Sequence, residues 1–196
     1  MINNSESSKI RIRTSQELSL QMEGLIELKK IMNSVLKNWF LSGGTLLGVY
    51  RDGDFIPWDW DVEVTVLSEE AIIKEGELLK SLALAGFTIT NLDSTKENFK
   101  IDAKGWGTSY EIVGRYLKDN NSIRARSMTE VPSKFFQSTE TVTFRGHDFP
   151  APSPADKFLE AMYGDWKKPK KTVDKNQYYS KSAHKKHLFL NYISKL

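Results

Sequence analysis

The stretch Asp59-Trp60-Asp61-Val62-Glu63-Val64-Thr65-Val66 alternates polar and apolar side chains. An extended strand has a side-chain period of two. Trp60, Val62, Val64 and Val66 are therefore expected on one face, and Asp59, Asp61, Glu63 and Thr65 on the other. This commits the chain to a sheet with one greasy face to cover and one face carrying three stacked carboxylates. Two carboxylates about 6 Å apart repel by roughly 2–3 kcal/mol at an effective dielectric of about 20, and a third adds to that. A divalent cation bound by oxygen ligands relieves the repulsion. An edge strand with its acids in water also does so, since the repulsion there drops below about 1 kcal/mol. Spacing alone leaves both readings open.

The segment before it favours the cation. Ser42-Gly43-Gly44-Thr45 follows the apolar pair Phe40-Leu41 and precedes Leu46-Leu47-Gly48-Val49. This reads as strand, tight glycine turn and short helix. Such a turn lets backbone N–H groups approach an anion at a helix N-terminus. Glycine pairs punctuate many turns, but one followed by an acidic strand supplies what nucleotide chemistry needs: donors for phosphates and acids for a metal.

Gly44-Thr45-Leu46-Leu47-Gly48, then Arg51, then Phe55-Ile56-Pro57-Trp58-Asp59-Trp60-Asp61-Val62-Glu63 closely resembles the signature of the LicD family. That family includes bacterial phosphocholine transferases and fukutin-related ribitol-phosphate transferases. The chain departs from the usual pattern at Trp60, where Asp is frequent, and at Glu63, where Asp is usual. The Phe149-Pro150 turn, the helix after it and Tyr163-Gly164-Asp165-Trp166 also resemble the C-terminal part of the pattern, while the middle resembles it weakly. The resemblance implies an α+β fold: a single domain with a nucleotidyltransferase-like mixed β-sheet flanked by helices.

Length and composition fit one domain of ordinary globular character, with 196 residues, 39% of them hydrophobic, and five Trp. The absence of cysteine excludes disulfides and thiolate metal sites, and suits a reducing cytoplasm. Residues 1–9 are polar and lack an apolar core, so no secretory signal is expected, and no apolar run reaches the length of a membrane span. The expected setting is cytoplasmic, with peripheral contact at the inner membrane face as an option. A net charge of +3 does not mark a nucleic-acid binder, and none is expected as a partner. The expected organisation is a flexible segment 1–13, a catalytic domain 14–166 and a basic tail 167–196. That tail carries Lys167, Lys168, Lys170, Lys171, Lys175, Lys181, Lys185 and Lys186 against Asp174 alone. It reads as a solvated helix and tail, or as a surface for an anionic glycan, phosphate polymer or acidic membrane.

Along the chain, Thr14-x-x-Glu17 is a capping box. Leu18, Met22, Leu25, Leu28, Met32, Val35, Leu36 and Trp39 follow at helical spacing, which predicts a helix ending near Asn38. Residues 51–57 read as a loop. Ser68 is expected to cap a second helix running to about Ala85, where Gly86 stops it. Strands are expected over 87–90, 99–103, 109–113, 122–126 and 141–144. The second and third should form a hairpin around Gly105-Trp106-Gly107. Ser153 is expected to cap a last helix ended by Gly164.

The resemblance also implies that an acid on a later strand completes the metal site. Glu111, between Tyr110 and Ile112, is the first candidate and Asp102 the second; Asp93 lies in a polar turn and is discounted. On this reading Asp59, Asp61 and Glu111 are catalytic, and Asp59, Asp61, Glu63 and Glu111 hold one or two Mg²⁺ or Mn²⁺ ions that bridge the diphosphate of a CDP-linked donor. Gly43, Gly44 and Thr45 hold its phosphates, and Arg51 neutralises charge on the leaving CMP. An ordinary salt bridge from Arg51 to Asp52 or Asp54 is the plainer alternative. The implied reaction moves a phospho-alditol or phosphocholine group onto a hydroxyl of a glycan or lipid-linked glycan. A true nucleotidyltransferase, which releases pyrophosphate from a nucleoside triphosphate, needs the same residues. The third reading is a non-catalytic carbohydrate-binding relative that kept the fold; the intact acidic strand argues against it, because unneeded repelling charges cost stability. His184 and His187 have metal spacing but lie among lysines, and His147 beside Asp148 reads as a turn histidine. Trp58 and Trp60 are lesser candidates to stack on a base, and the alternation reads Trp60 as core instead.

Overall fold

The computed structural model describes residues 11–119, 121–125, 129–170, 179–180 and 183. Helix α1 (Ser15–Val35) opens on the expected capping box: the Glu17 N–H donates to the Thr14 hydroxyl at 3.2 Å, and the Thr14 N–H donates to the Glu17 carboxylate at 2.8 Å. Its stripe of Leu18, Met22, Leu25, Leu28, Met32 and Val35 is buried. The helix ends earlier than expected, because Leu36 is already extended. Trp39 instead opens strand β1 (Trp39–Leu41), with its indole N–H donating to Asn33 Oδ1 at 2.8 Å.

Helix α2 (Gly43–Asp52) follows the glycine turn and ends at Gly53, whose φ is 70°. Strand β2 (Asp61–Leu67) leads to α3 (Ser68–Ile73) and α4 (Glu75–Leu84). The single helix expected over 68–85 breaks at Lys74, where φ and ψ are −99° and 6°. Gly76 lies in the first turn after the break, and a glycine inside a continuous helix costs about 1 kcal/mol relative to alanine. Leu67, not Ser68, holds the cap position.

The remaining strands are β3 (Thr88–Asp93), β4 (Lys100–Gly105), β5 (Thr108–Asp119), β6 (Ser122–Ala125), β7 (Thr129–Pro132), β8 (Thr139–Phe144) and β9 (His147–Pro152). The main sheet has the order β1-β2-β5-β4-β3, and β6 and β7 extend it from β5. β2 and β5 are parallel and the other pairs antiparallel, so the sheet is mixed. β8 and β9 form a separate hairpin. Strand β9 replaces the turn expected at Phe149-Pro150. Its prolines are tolerated because β9 pairs with β8 alone among the described strands, which leaves an edge where a missing N–H costs nothing. Helix α5 (Ala155–Tyr163) is capped at Pro154 instead of Ser153, and Glu140 Oε2 accepts the Ala155 N–H at 2.9 Å.

The two faces of the sheet divide the work. Val62, Val64, Val66, Tyr110 and Ile112 are buried. α1 lies against this apolar face closely enough that a Cβ on Gly24 would stand 1.9 Å from the Tyr110 hydroxyl. Phe87 and Trp106 pack edge-on and tilted around the same tyrosine. Trp60 departs from the expected alternation. It precedes β2, is 39% exposed, and lies under the guanidinium groups of Arg11 and Arg13 at 4.8 and 4.5 Å. The opposite face carries the acids.

Candidate functional site

Asp61 and Glu63 lie on β2 and project to one face. Asp59 sits in the turn before the strand, where its N–H donates to the Ile56 carbonyl at 2.9 Å. The three side chains nonetheless converge, and one oxygen from each lies within 4.8 Å of the others. The glycine turn seats them. A Cβ on Gly44 would stand 1.8 Å from Asp59 Oδ2, and one on Gly43, whose φ is +56°, would stand 1.7 Å from Glu63 Oε2. The Gly44 N–H donates to Glu63 Oε2 at 2.6 Å, and the Glu63 N–H donates to Thr45 Oγ1 at 2.9 Å. The positive end of α2 thus faces a carboxylate, the charge it favours. Thr45 is buried and locks β2 to α2.

Burial, followed by the charges of Asp61 and Glu63, pushes the Asp59 carboxyl up to about 9. A cluster that must take a proton to coexist is short of a cation. Three hard oxygen donors at this separation fit Mg²⁺ or Mn²⁺.

The acids form the floor of a cleft of about 200 Å³. Its walls come from Gly44, Leu47 and Arg51 of α2, from Ile56 and Trp58 of the loop, and from Tyr163, Asp165, Trp166, Lys168, Lys170 and Tyr179. Arg51 therefore lines the site. It also makes the plainer contact, donating through Nε and Nη2 to Asp52 Oδ1 and Oδ2 at 2.8 and 2.6 Å. Tyr163 and Tyr179 stack with centroids 5.8 Å apart.

Glu111 is the register partner of Glu63 across the parallel β2–β5 pair, and Asp102 is the partner of Glu111 across β5–β4. The three form a row on one face. Lys100 Nζ bridges the last two, at 3.0 Å from Glu111 Oε2 and 2.7 Å from Asp102 Oδ1. Among the described residues the converging group comprises Asp59, Asp61 and Glu63, with Glu111 beside it.

Arg13 escaped the reading of the sequence, which placed it in a fraying segment. It is buried, and its guanidinium donates to the Trp60 carbonyl at 3.0 Å, to Thr108 Oγ1 and to Gln21 Oε1. Its backbone N–H donates to the Pro57 carbonyl at 2.8 Å. It fixes the loop carrying Asp59 to α1 and to the start of β5. The one signal available was its place next to the capping box. His147 opens β9 beyond the Arg145-Gly146 turn. His184, His187 and most of the basic tail lie outside the described residues.

A family model described as LicD/FKTN/FKRP, nucleotidyltransferase domain, matches residues 37–154, more than half of the chain. The chain belongs to the LicD/FKTN/FKRP family. This LicD-family chain is 26% identical over 166 residues to Ribitol 5-phosphate transferase FKRP of Mus musculus, and equally to that of Homo sapiens. Each match takes in 78% of the chain and 32% of the relative, so the chain spans about a third of the length of these curated relatives. The solution structure of the antibiotic-resistance factor ANT(2'')-Ia matches with a TM-score of 0.52 at 13% identity, over 69% of this chain and 66% of that one. That likeness is one of fold. The α+β, nucleotidyltransferase-like mixed sheet flanked by helices is thus the fold of this LicD-family protein. Among the described residues no helix is long and apolar enough to cross a membrane.

Proposed function

We propose that this protein transfers a phospho-alditol or phosphocholine group from a CDP-linked donor to a glycan hydroxyl and releases CMP. The observation that carries the reading is the convergence of Asp59, Asp61 and Glu63 at the floor of a cleft, in a chain of the LicD/FKTN/FKRP family. The relatives named Ribitol 5-phosphate transferase support the class of group moved.

Asp59, Asp61 and Glu63, with Glu111 beside them, would hold Mg²⁺ or Mn²⁺. The cation supplies charge neutralisation for the donor's diphosphate and for the phosphoryl group in transfer. The first N–H groups of a helix lack intrahelical partners, so Gly43 and Thr45 offer theirs to a donor phosphate beside the Gly44–Glu63 bond. Arg51, at the cleft wall, offsets the charge left on CMP. The acceptor oxygen bonds to the distal phosphorus, and the bond from that phosphorus to the bridging oxygen breaks. CMP leaves with the electron pair, and the hydroxyl proton passes to a carboxylate of Asp59, Asp61 or Glu111. Trp58 and Trp166, which line the cleft, would take the base by stacking. The cytoplasmic setting, the lipid-linked form of the glycan and a contact of the basic tail with an anionic polymer or membrane belong to the same proposal.

The test is a panel of CDP-ribitol, CDP-glycerol and CDP-choline with Mg²⁺ and glycan acceptors, scored for CMP. One donor should yield CMP, and the Asp61→Ala variant should not. Pyrophosphate from a nucleoside triphosphate, with no CMP from any donor, would instead identify a nucleotidyltransferase.

A further inference from the structure

Arg115 of β5 is a buried charge with no carboxylate partner among the described residues. It is the register partner of Leu67 and lies four residues along β5 from Glu111, which puts it on the face that carries Glu111 and Glu63. It is only 4% exposed. Its guanidinium packs 5.5 and 5.8 Å from the rings of Phe136 and Phe158, and Nη2 lies 3.9 Å from Met162 Sδ. Nε and Nη1 are buried and have no acceptor among the described residues. Burial lowers its pKa to about 10, so it remains a cation at neutral pH.

Such a group is costly. Desolvating a guanidinium without a carboxylate partner opposes folding strongly, and each buried N–H without an acceptor adds to that. Packing does not explain the residue, since a methionine of similar length would fill the space without a charge. The position explains it better. Met162, which Arg115 touches, immediately precedes Tyr163, and Tyr163, stacked on Tyr179, lines the cleft. Next to Tyr179, the Ser180 N–H donates to the Met162 carbonyl at 2.7 Å and the Ser180 hydroxyl donates to the Ala161 carbonyl at 2.6 Å, which ties this position to α5.

We infer that Arg115, buried behind the cleft wall beside Met162 and Tyr163, is an anion-binding residue whose unanswered Nε and Nη1 donors take phosphoryl oxygens of the bound substrate, with Tyr179 as the side chain that yields to admit them. A guanidinium presents its donors in a rigid fork that matches phosphate. The cation-binding acids and the arginine then grip one phosphorylated ligand from two sides. This rests on the phosphoryl-transfer reading above but not on the identity of the nucleotide or of the transferred group.

The probe is inorganic pyrophosphate in saturating Mg²⁺, titrated calorimetrically into wild type, Arg115→Met and Arg115→Lys, with melting temperatures recorded for each. The expected result is a melting temperature for Arg115→Met equal to or above wild type, with pyrophosphate affinity weakened about 10- to 100-fold, and an intermediate loss for Arg115→Lys. Wild-type affinity in Arg115→Met would overturn the inference. So would no binding by wild type, or a melting temperature lowered in Arg115→Met and restored in Arg115→Lys, which would show that the fold itself answers the charge. Arg115-dependent binding without CMP release from any CDP donor would leave this inference standing and remove the donor assignment.

Discussion

Asp59 carries a proton in the metal-free protein because it is withdrawn from water beside two other acids. Its pKa in the fold lies above the unfolded value of about 3.9. The stability it lends is therefore full below pH about 4 and is lost as the pH climbs towards 9. In a chelating buffer the melting temperature should fall between pH 5 and pH 9, and Asp59→Asn should flatten that fall; equal slopes in the two proteins would contradict the account. Metal affinity should rise over the same range, because the cation displaces the proton. Gly44 is the second test at this scale. The methyl of Gly44→Ala would enter the space of Asp59 Oδ2, and misplacing a reacting group by about 1 Å costs about 100-fold in rate. CMP release should drop by that order with the far-ultraviolet dichroism unchanged, and wild-type turnover would show that the acid is not held where the geometry has it.

α1 and the segment leading into it hold the acidic loop in place, and much of this was readable in advance. The capping box and the three-and-four spacing gave the helix, and the alternation of β2 gave the acidic face. Trp60 was misassigned because alternation was extended one pair beyond the strand, into a turn where the side chain meets Arg11 and Arg13 instead of the core. Arg13 was missed because a buried arginine and a solvated one look alike until their acceptors are known, and its acceptors lie 8, 47 and 95 residues away. Arg13→Ala should remove charge-assisted hydrogen bonds worth roughly 1.5–3 kcal/mol each. It should lower both the melting temperature and turnover, with urea denaturation as the measure. Gly24→Ala should cost about 1–3 kcal/mol, since its methyl collides with the Tyr110 hydroxyl and pushes α1 off the sheet. A neutral effect would mean that α1 packs elsewhere.

The whole molecule sorts its chemistry by the two faces of one mixed sheet. α1 seals the apolar face, and α2, α5 and Tyr179 flank the acidic one. The parallel pairing of β2 with β5 puts Glu111 beside Glu63 although 48 positions separate them in register numbering, from Glu63 to Glu111. No local pattern announces such a partner, because strand pairing is a property of the crossover and not of either strand. The expectation of an acid on a later strand came from the family resemblance and not from periodicity. The central claim is that Asp59, Asp61 and Glu63 exist to hold a divalent cation, and direct calorimetric titration of Mn²⁺ tests it. Wild type should bind saturably with release of protons at pH 8, and Asp61→Asn should lose that binding while staying folded. Undetectable Mn²⁺ binding by wild type, or unchanged binding by Asp61→Asn, would contradict the account.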